Sequence, residues 1–348
     1  MTHSTGNDSL EAVLERGRDE GVYPGAVAAL GSTAGIEQVA VVGERDPERD
    51  KEMTRETVFD AASVTKPVVT ATTALSLVEA GIITLSDELR QHVSNLDGHR
   101  RGRIRLLELL THSSGFQPYS FSESWRSPTD VLDGLRNRSI LEAEPGSRNE
   151  YSCLNFVYLA EALRQATGRS LSKLAEAHVF NSVNMKNSSL GPLTDSSSVA
   201  ATYDHQYRDR TLRGEVHDPL GWAMDGQSGN AGLFTTVDDL AAFARAYLAA
   251  DGTLLSHATV ERLQDDWVPE LNIRHSLGWR LADETYPAPN WSRTGLGHTG
   301  YTGTSLWLDH DRDRFAVLLT NQIHDGKETG LIRFRERLHA MIAAGRFD

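Results

Sequence analysis

Ser63 and Lys66 lie three residues apart in FDAASVTKPVVTATTALSLVEAGIITL, residues 59–85. On a helix that spacing puts both side chains on one face, within reach of a single hydrogen bond. A serine beside a basic amine is a nucleophile with its base to hand. Pro67 follows and fits only in a first helical turn, so Ser63 falls at a helix N-terminus, where backbone N–H groups and the dipole favour developing negative charge. The spacing is not specific alone, because Ser170-Leu-Ser-Lys173 repeats it ahead of the amphipathic run LSKLAEAHVF, where Ser170 reads as an ordinary N-cap. By spacing only, Ser63 is open to the same structural reading.

Two further stretches hold groups that could assist a nucleophile. EPGSRNEYSCLNFVYLAEAL places Tyr151 in a loop just before a helix, and GHTGYTG places His298, Thr299 and Gly300 on a strand edge whose glycines admit a ligand close to the backbone. Taken singly, such a tyrosine is more often an anchor and such a histidine a satisfied strand residue. His112 in LLTHSSG reads as structural, and Tyr119, Phe121, Trp125 and Trp222 read as either core or the lining of an apolar acyl pocket. No His-Glu-x-x-His is present, and His310, Asp311 and Asp313 in DHDRDR read as a solvated hairpin, so neither metal nor cofactor is expected.

The elements that must position these groups follow from periodicity. Val68, Val69, Leu75, Leu77, Val78, Ile82 and Ile83 make the stretch after Ser63 apolar nearly all round, hence a central buried helix. SLEAVLERGRDEG is a capped amphipathic helix closed by Gly21, and AVAALG with QVAVVG forms a hairpin. LSDELRQHV, RIRLLELLTHSSGF, SPTDVLDGLRNRS, NFVYLAEALRQATG and SLSKLAEAHVF are helical segments broken by polar loops. After GNAGLFTTVDDLAAFARAYLAADG, SLGWRLAD, TGLGHTGYTGTSLWLD and RFAVLLTN read as three antiparallel strands, and LIRFRERLHAMIAAG as a closing helix. The expected fold is α+β: an antiparallel sheet built from residues 1–83 and 226–348, flanked by terminal helices, with a mainly helical domain, 84–225, inserted. The cleft between the two parts is the default binding site.

The totals narrow the function. A formal charge of −13 with no basic cluster argues against nucleic-acid or anionic-membrane partners. The single cysteine, Cys153, excludes an internal disulfide and suits a reducing compartment. No apolar run is long enough to cross a bilayer and the first residues lack a signal-peptide pattern, so a cytoplasmic location is expected. Lysine is scarce, five of 35 basic residues, which fits either a GC-rich genome or an acidic, salt-adapted surface.

Together the motifs resemble the serine β-lactamase and penicillin-binding-protein superfamily, in its class C-like branch of esterases, peptidases and lactamases. The resemblance rests on five markers in order: ASVTK, LLTHSSGF, the PG…YS segment, GNAGLFTTVDDLAAFA, and GHTGYTGTSLWLD with LLTN. It implies Ser63 as the nucleophile of an acyl-enzyme, Lys66 as proton acceptor or orienter, Tyr151 as proton relay, and the Ser63 and Tyr301 N–H groups as an oxyanion hole. His298-Thr299-Gly300 stands where the superfamily often has Lys-Thr-Gly. A second departure is Cys153, where Tyr-x-Asn would place an amide, because a thiol cannot donate and accept as an amide does. Thr299, Gly300, Cys153, Tyr119 and Trp222 are the expected substrate-contacting set. The implied activity is hydrolysis of small carboxylic esters, with weak β-lactamase activity allowed. The alternatives are a D-amino-acid or cell-wall peptidase and a non-catalytic ligand-binding relative.

Overall fold

The computed structural model describes residues 9–137, 141–325 and 329–347. Residues 1–8, whose pattern bears on export, and the end of SPTDVLDGLRNRS lie outside the described residues. A seven-stranded antiparallel sheet runs in the order Lys51–Glu52, Gly35–Asp46, Gly25–Ser32, Arg314–Thr320, Ser305–Asp309, Leu296–Thr299, Arg280–Leu281. Both ends of the chain build it, joined where Ala26 pairs with Thr320 and Gly31 with Phe315.

Successive residues of a strand face opposite ways, and here both faces are apolar. Ala26, Ala28, Leu30, Trp307, Ala316 and Leu318 pack with Leu14, Phe334 and Leu338 under the terminal helices Leu10–Asp19 and Leu331–Ala343. Val27, Ala29, Leu306, Leu308, Val317 and Leu319 join the larger core on the other face, with the helix Val237–Ala249 laid against the central strands. That core continues into the helical segments Leu106–Leu110, Pro128–Asn137, Cys153–Thr167 and Leu171–Ala175. The structure thus has the α+β architecture expected, with covered sheet faces accounting for the strands' near-continuous apolar runs.

Two local readings are corrected. TGLGHTGYTGTSLWLD is not one strand but two, Leu296–Thr299 and Ser305–Asp309, because Gly303 takes φ +111° and closes a turn with its N–H on Gly300 O. SLGWRLAD keeps only Arg280–Leu281 in the sheet. That short strand pairs with Leu296 and Gly297 alone, so His298 and Thr299 run past it.

Candidate active site

The Ser63 stretch is helical in three geometries: a 3-10 turn Ala62–Val64, a π-helical turn Lys66–Ala71 and the α-helix Thr72–Glu79. Ala62 sits at φ +46°, a conformation costly for a residue with a Cβ. The surroundings hold it there. Asp60 Oδ1 accepts Ala62 N at 2.8 Å, Ala61 N donates to Leu233 O at 2.8 Å, and Thr65 Oγ1 donates to Ala62 O at 2.6 Å. Ser63 is half-buried and so reachable, while Lys66 is fully buried.

Lys66 Nζ lies 2.9 Å from Ser63 Oγ, 2.6 Å from the Tyr151 hydroxyl and 3.0 Å from Asn230 O, with Cys153 Sγ at 3.6 Å. The Ser63 hydroxyl and that of Tyr151, 85 positions beyond Lys66, thus meet on one amine. Tyr151 is 39% exposed as a residue, with its ring 4.6 Å from the His112 ring and 5.9 Å from that of His298. His112 Nδ1 accepts Ser152 N at 3.1 Å and lies 2.9 Å from Asn155 Nδ2, so one buried imidazole orders the start of the helix Cys153–Thr167 and the Tyr151 ring beside it. Asn155, two residues beyond Cys153, does not supply the missing amide: its side chain is spent on His112 and on Ser114 Oγ at 2.5 Å.

The charge states follow from burial and neighbours. Desolvation pushes the Lys66 amine down, but facing the Cys153 thiol and Tyr151 phenol brings it, on balance, above its ordinary value. Desolvation raises the Tyr151 phenol and the Lys66 charge only partly reverses that. The resting pair is therefore ammonium and neutral phenol. Burial raises the Cys153 thiol as well, against a reactive thiolate. His298 Nδ1–H donates to Thr299 O at 2.9 Å, and burial, then Lys66, push the ring down to about 3. At neutral pH it is uncharged.

The turn carrying Tyr301 is tied to the Ser63 segment: Thr302 Oγ1 donates to Asp60 O at 2.8 Å and Thr304 Oγ1 to Ala61 O at 2.9 Å. A Cβ on Gly300 would stand 2.1 Å from Thr304 Oγ1 and 2.5 Å from Ala61 O, so only glycine lets the two segments close to this distance. Tyr301 is 67% exposed, its ring 5.6 Å from that of His217.

A second layer backs these groups, and the sequence singles out its Val216-His217-Asp218 and GNAG segments without giving them a role. Asp60 Oδ2 accepts His217 N at 2.7 Å, and Asp218 accepts Gly221 N at 2.8 Å and Asn230 Nδ2 at 3.1 Å. Thr70 Oγ1 holds Gly229 O at 2.8 Å, which brings the Asn230 carbonyl to Lys66. The signal available was GNAG and HDP in loops near candidate site segments, but a backbone acceptor has no residue-type signature. Tyr119 joins this layer through its hydroxyl, 3.3 Å from Asp218 Oδ2. Trp222 is half-buried against the main core, and its ring lies 5.7 and 5.5 Å from the guanidinium groups of Arg126 and Arg208. Ser170 is the plain N-cap expected, its Oγ accepting Lys173 N. Among the described residues no group of His, Cys, Asp and Glu could hold a metal ion, and no helix is long and apolar enough to cross a membrane.

An antiparallel sheet backed by terminal helices, with a serine, a buried lysine and a tyrosine converging at its side, defines a serine hydrolase. Residues 10–340 match the Beta-lactamase family model, and the chain belongs to that family. It is 26% identical over 313 residues to a putative D-alanyl-D-alanine carboxypeptidase of Salmonella typhimurium strain LT2, across 78% of this chain and 71% of that one. Among solved structures it is similar to EstCE1, a hydrolase with promiscuous acyltransferase activity, with a TM-score of 0.77 and 22% identity over 93% of this chain and 95% of that one. An octameric penicillin-binding protein homologue from Pyrococcus abyssi also gives 0.77, at 20% identity over 97% of this chain and 77% of that one. Those two likenesses define the fold.

Proposed function

We propose that the protein hydrolyses small carboxylic esters through an acyl-enzyme on Ser63. The observation that carries this is the single amine of Lys66 bonded to both the Ser63 and Tyr151 hydroxyls. Once the Lys66–Tyr151 pair has lost a proton, it can take the Ser63 proton as Oγ adds to the ester carbonyl, and return it to the departing alcohol. A water then cleaves the acyl-enzyme with the same pair as base. The Ser63 and Tyr301 N–H groups, on segments clamped by Thr302 and Thr304, are assigned to the carbonyl oxygen as it becomes an oxyanion.

Two features of the site favour esters over amides. Cys153 presents a thiol where an amide would pair with a peptide or lactam group, and an unpaired polar group in a dry site disfavours that substrate. His298, held neutral, gives a substrate carboxylate no cation to pair with. Thr299 and Gly300 are assigned to backbone-side substrate contact, and weak lactam turnover is compatible with the same machinery.

A second reading, a D-amino-acid peptidase, is supported by the name of the Salmonella relative. A parallel assay of a short-chain p-nitrophenyl ester, a chromogenic cephalosporin and a D-Ala-D-Ala peptide, with wild type and Ser63→Ala, separates the two. Ester turnover that disappears in Ser63→Ala supports the first; turnover of the peptide alone replaces it with the second.

A further inference from the structure

The helix Leu331–Ala343 sends Arg335 into the interior beneath the Tyr301 turn, where it is 8% exposed. Its Nη2 donates to Thr304 O at 2.7 Å and to Gly300 O at 3.3 Å. Nε has no partner, and no carboxylate pairs with Arg335 among the described residues. Burying a guanidinium without a counter-ion is unfavourable, and burial pushes this one down to about 10, still charged at neutral pH. His339, four residues along the same helix and fully buried, is pushed down to about 3 by burial and by Arg335, so it adds no competing charge.

A neutral donor could cap two turn carbonyls. What a cation adds depends on which carbonyls they are. Gly300 O and the Tyr301 N–H are the two ends of one resonant peptide group, so a positive donor on the oxygen draws density from the nitrogen and makes its N–H a stronger donor. Thr304 O, the other acceptor, also takes Gly300 N at 2.7 Å, so the one Nη2 ties the Gly300 carbonyl to the residue that holds the Gly300 N–H.

We infer that Arg335 is a positioning residue for the oxyanion hole: its guanidinium, seated on the Gly300 carbonyl, aims and polarises the Tyr301 N–H toward the oxygen that gains charge in the transition state. The inference rests on the acyl-enzyme reading above and adds to it a buried cation that touches no substrate.

The test compares wild type, Arg335→Met, Arg335→Lys and Leu338→Ala by kcat and KM on a p-nitrophenyl ester, by affinity for an arylboronic acid and by Tm. Ser63 Oγ adds to boron as its proton is taken by a base, giving a tetrahedral boronate anion one of whose oxygens occupies the hole. Arg335→Met is expected to lower kcat and boronate affinity together by about tenfold or more, with KM within about twofold. Arg335→Lys, which keeps the charge on a shorter stem without the planar guanidinium, falls between. Leu338→Ala loosens the same helix and lowers Tm while leaving kcat near wild type. Unchanged kcat in both arginine variants, or an equal kcat loss in Leu338→Ala, overturns the inference. If Arg335→Met does not fold, Arg335→Lys decides by the same pairing of kcat with boronate affinity. Turnover surviving in Ser63→Ala would overturn the underlying reading instead, and is scored separately.

Discussion

Lys66 Nζ stands 2.6 Å from the Tyr151 hydroxyl, closer than to Ser63 Oγ at 2.9 Å, so the amine and the phenol share protons before either serves the serine. Tyr151→Phe keeps the ring on His112, 4.6 Å away, and removes only the relay. It should lower kcat/KM by about 10²–10⁴ with little change in Tm. Lys66→Ala should cost as much, and the double variant little more than either, because the two act as one unit. Additive losses in a double-mutant cycle would refute the shared relay.

The same pair sets the pH dependence. Lys66 and Tyr151 both hold their protons above their ordinary values, and the reactive form has one proton fewer. Activity should therefore climb with pH on the alkaline side of neutrality, with no step near 6.5 from His298, which is pushed down to about 3. A kcat/KM profile on a non-ionising ester checks this. A step near 6.5 that vanishes in His298→Gln would contradict it.

Cys153→Asn puts an amide back beside Lys66 and Asn230. The ratio of lactam to ester turnover should rise by about tenfold, roughly what one added hydrogen bond supplies. Cephalosporin and ester rates measured side by side read this, and an unchanged ratio would show that the thiol is not what disfavours amides.

Gly300→Ala drives a Cβ against Ala61 O and Thr304 Oγ1 and forces the Tyr301 turn away from Ser63. Stability should fall by about 1–3 kcal/mol and kcat by about 10²-fold or more. Denaturant melts and steady-state kinetics give both numbers; wild-type kcat would mean the turn has no part in the chemistry.

The two Ser-x-x-Lys copies offer an internal control. Ser170→Ala should cost about 1 kcal/mol as a lost N-cap and leave kcat alone, whereas Ser63→Ala should abolish turnover while the fold survives. Circular dichroism with the ester assay separates the two.

Local chemistry explains what could be read in advance. The covered sheet, the terminal helices and the buried Ser63 stretch follow from apolar periodicity and from Pro67, which are properties of consecutive residues. The division of GHTGYTGTSLWLD into two strands was not legible, because a glycine fits a strand or a turn equally well, and here Gly303 takes φ +111° with its N–H on Gly300 O. Ser63, Lys66, Tyr151 and His298 could be nominated from type and order. Their meeting at one amine and the neutrality of His298 required the fold. So did the role of Arg335: its spacing from Leu331 and Leu338 puts it on the buried face of its helix, but its carbonyl partners on Gly300 and Thr304 come from another part of the chain. Periodicity reports which face of an element is apolar, while pKa and hydrogen-bond partners depend on groups far away in the chain, and only packing brings those within a few ångströms.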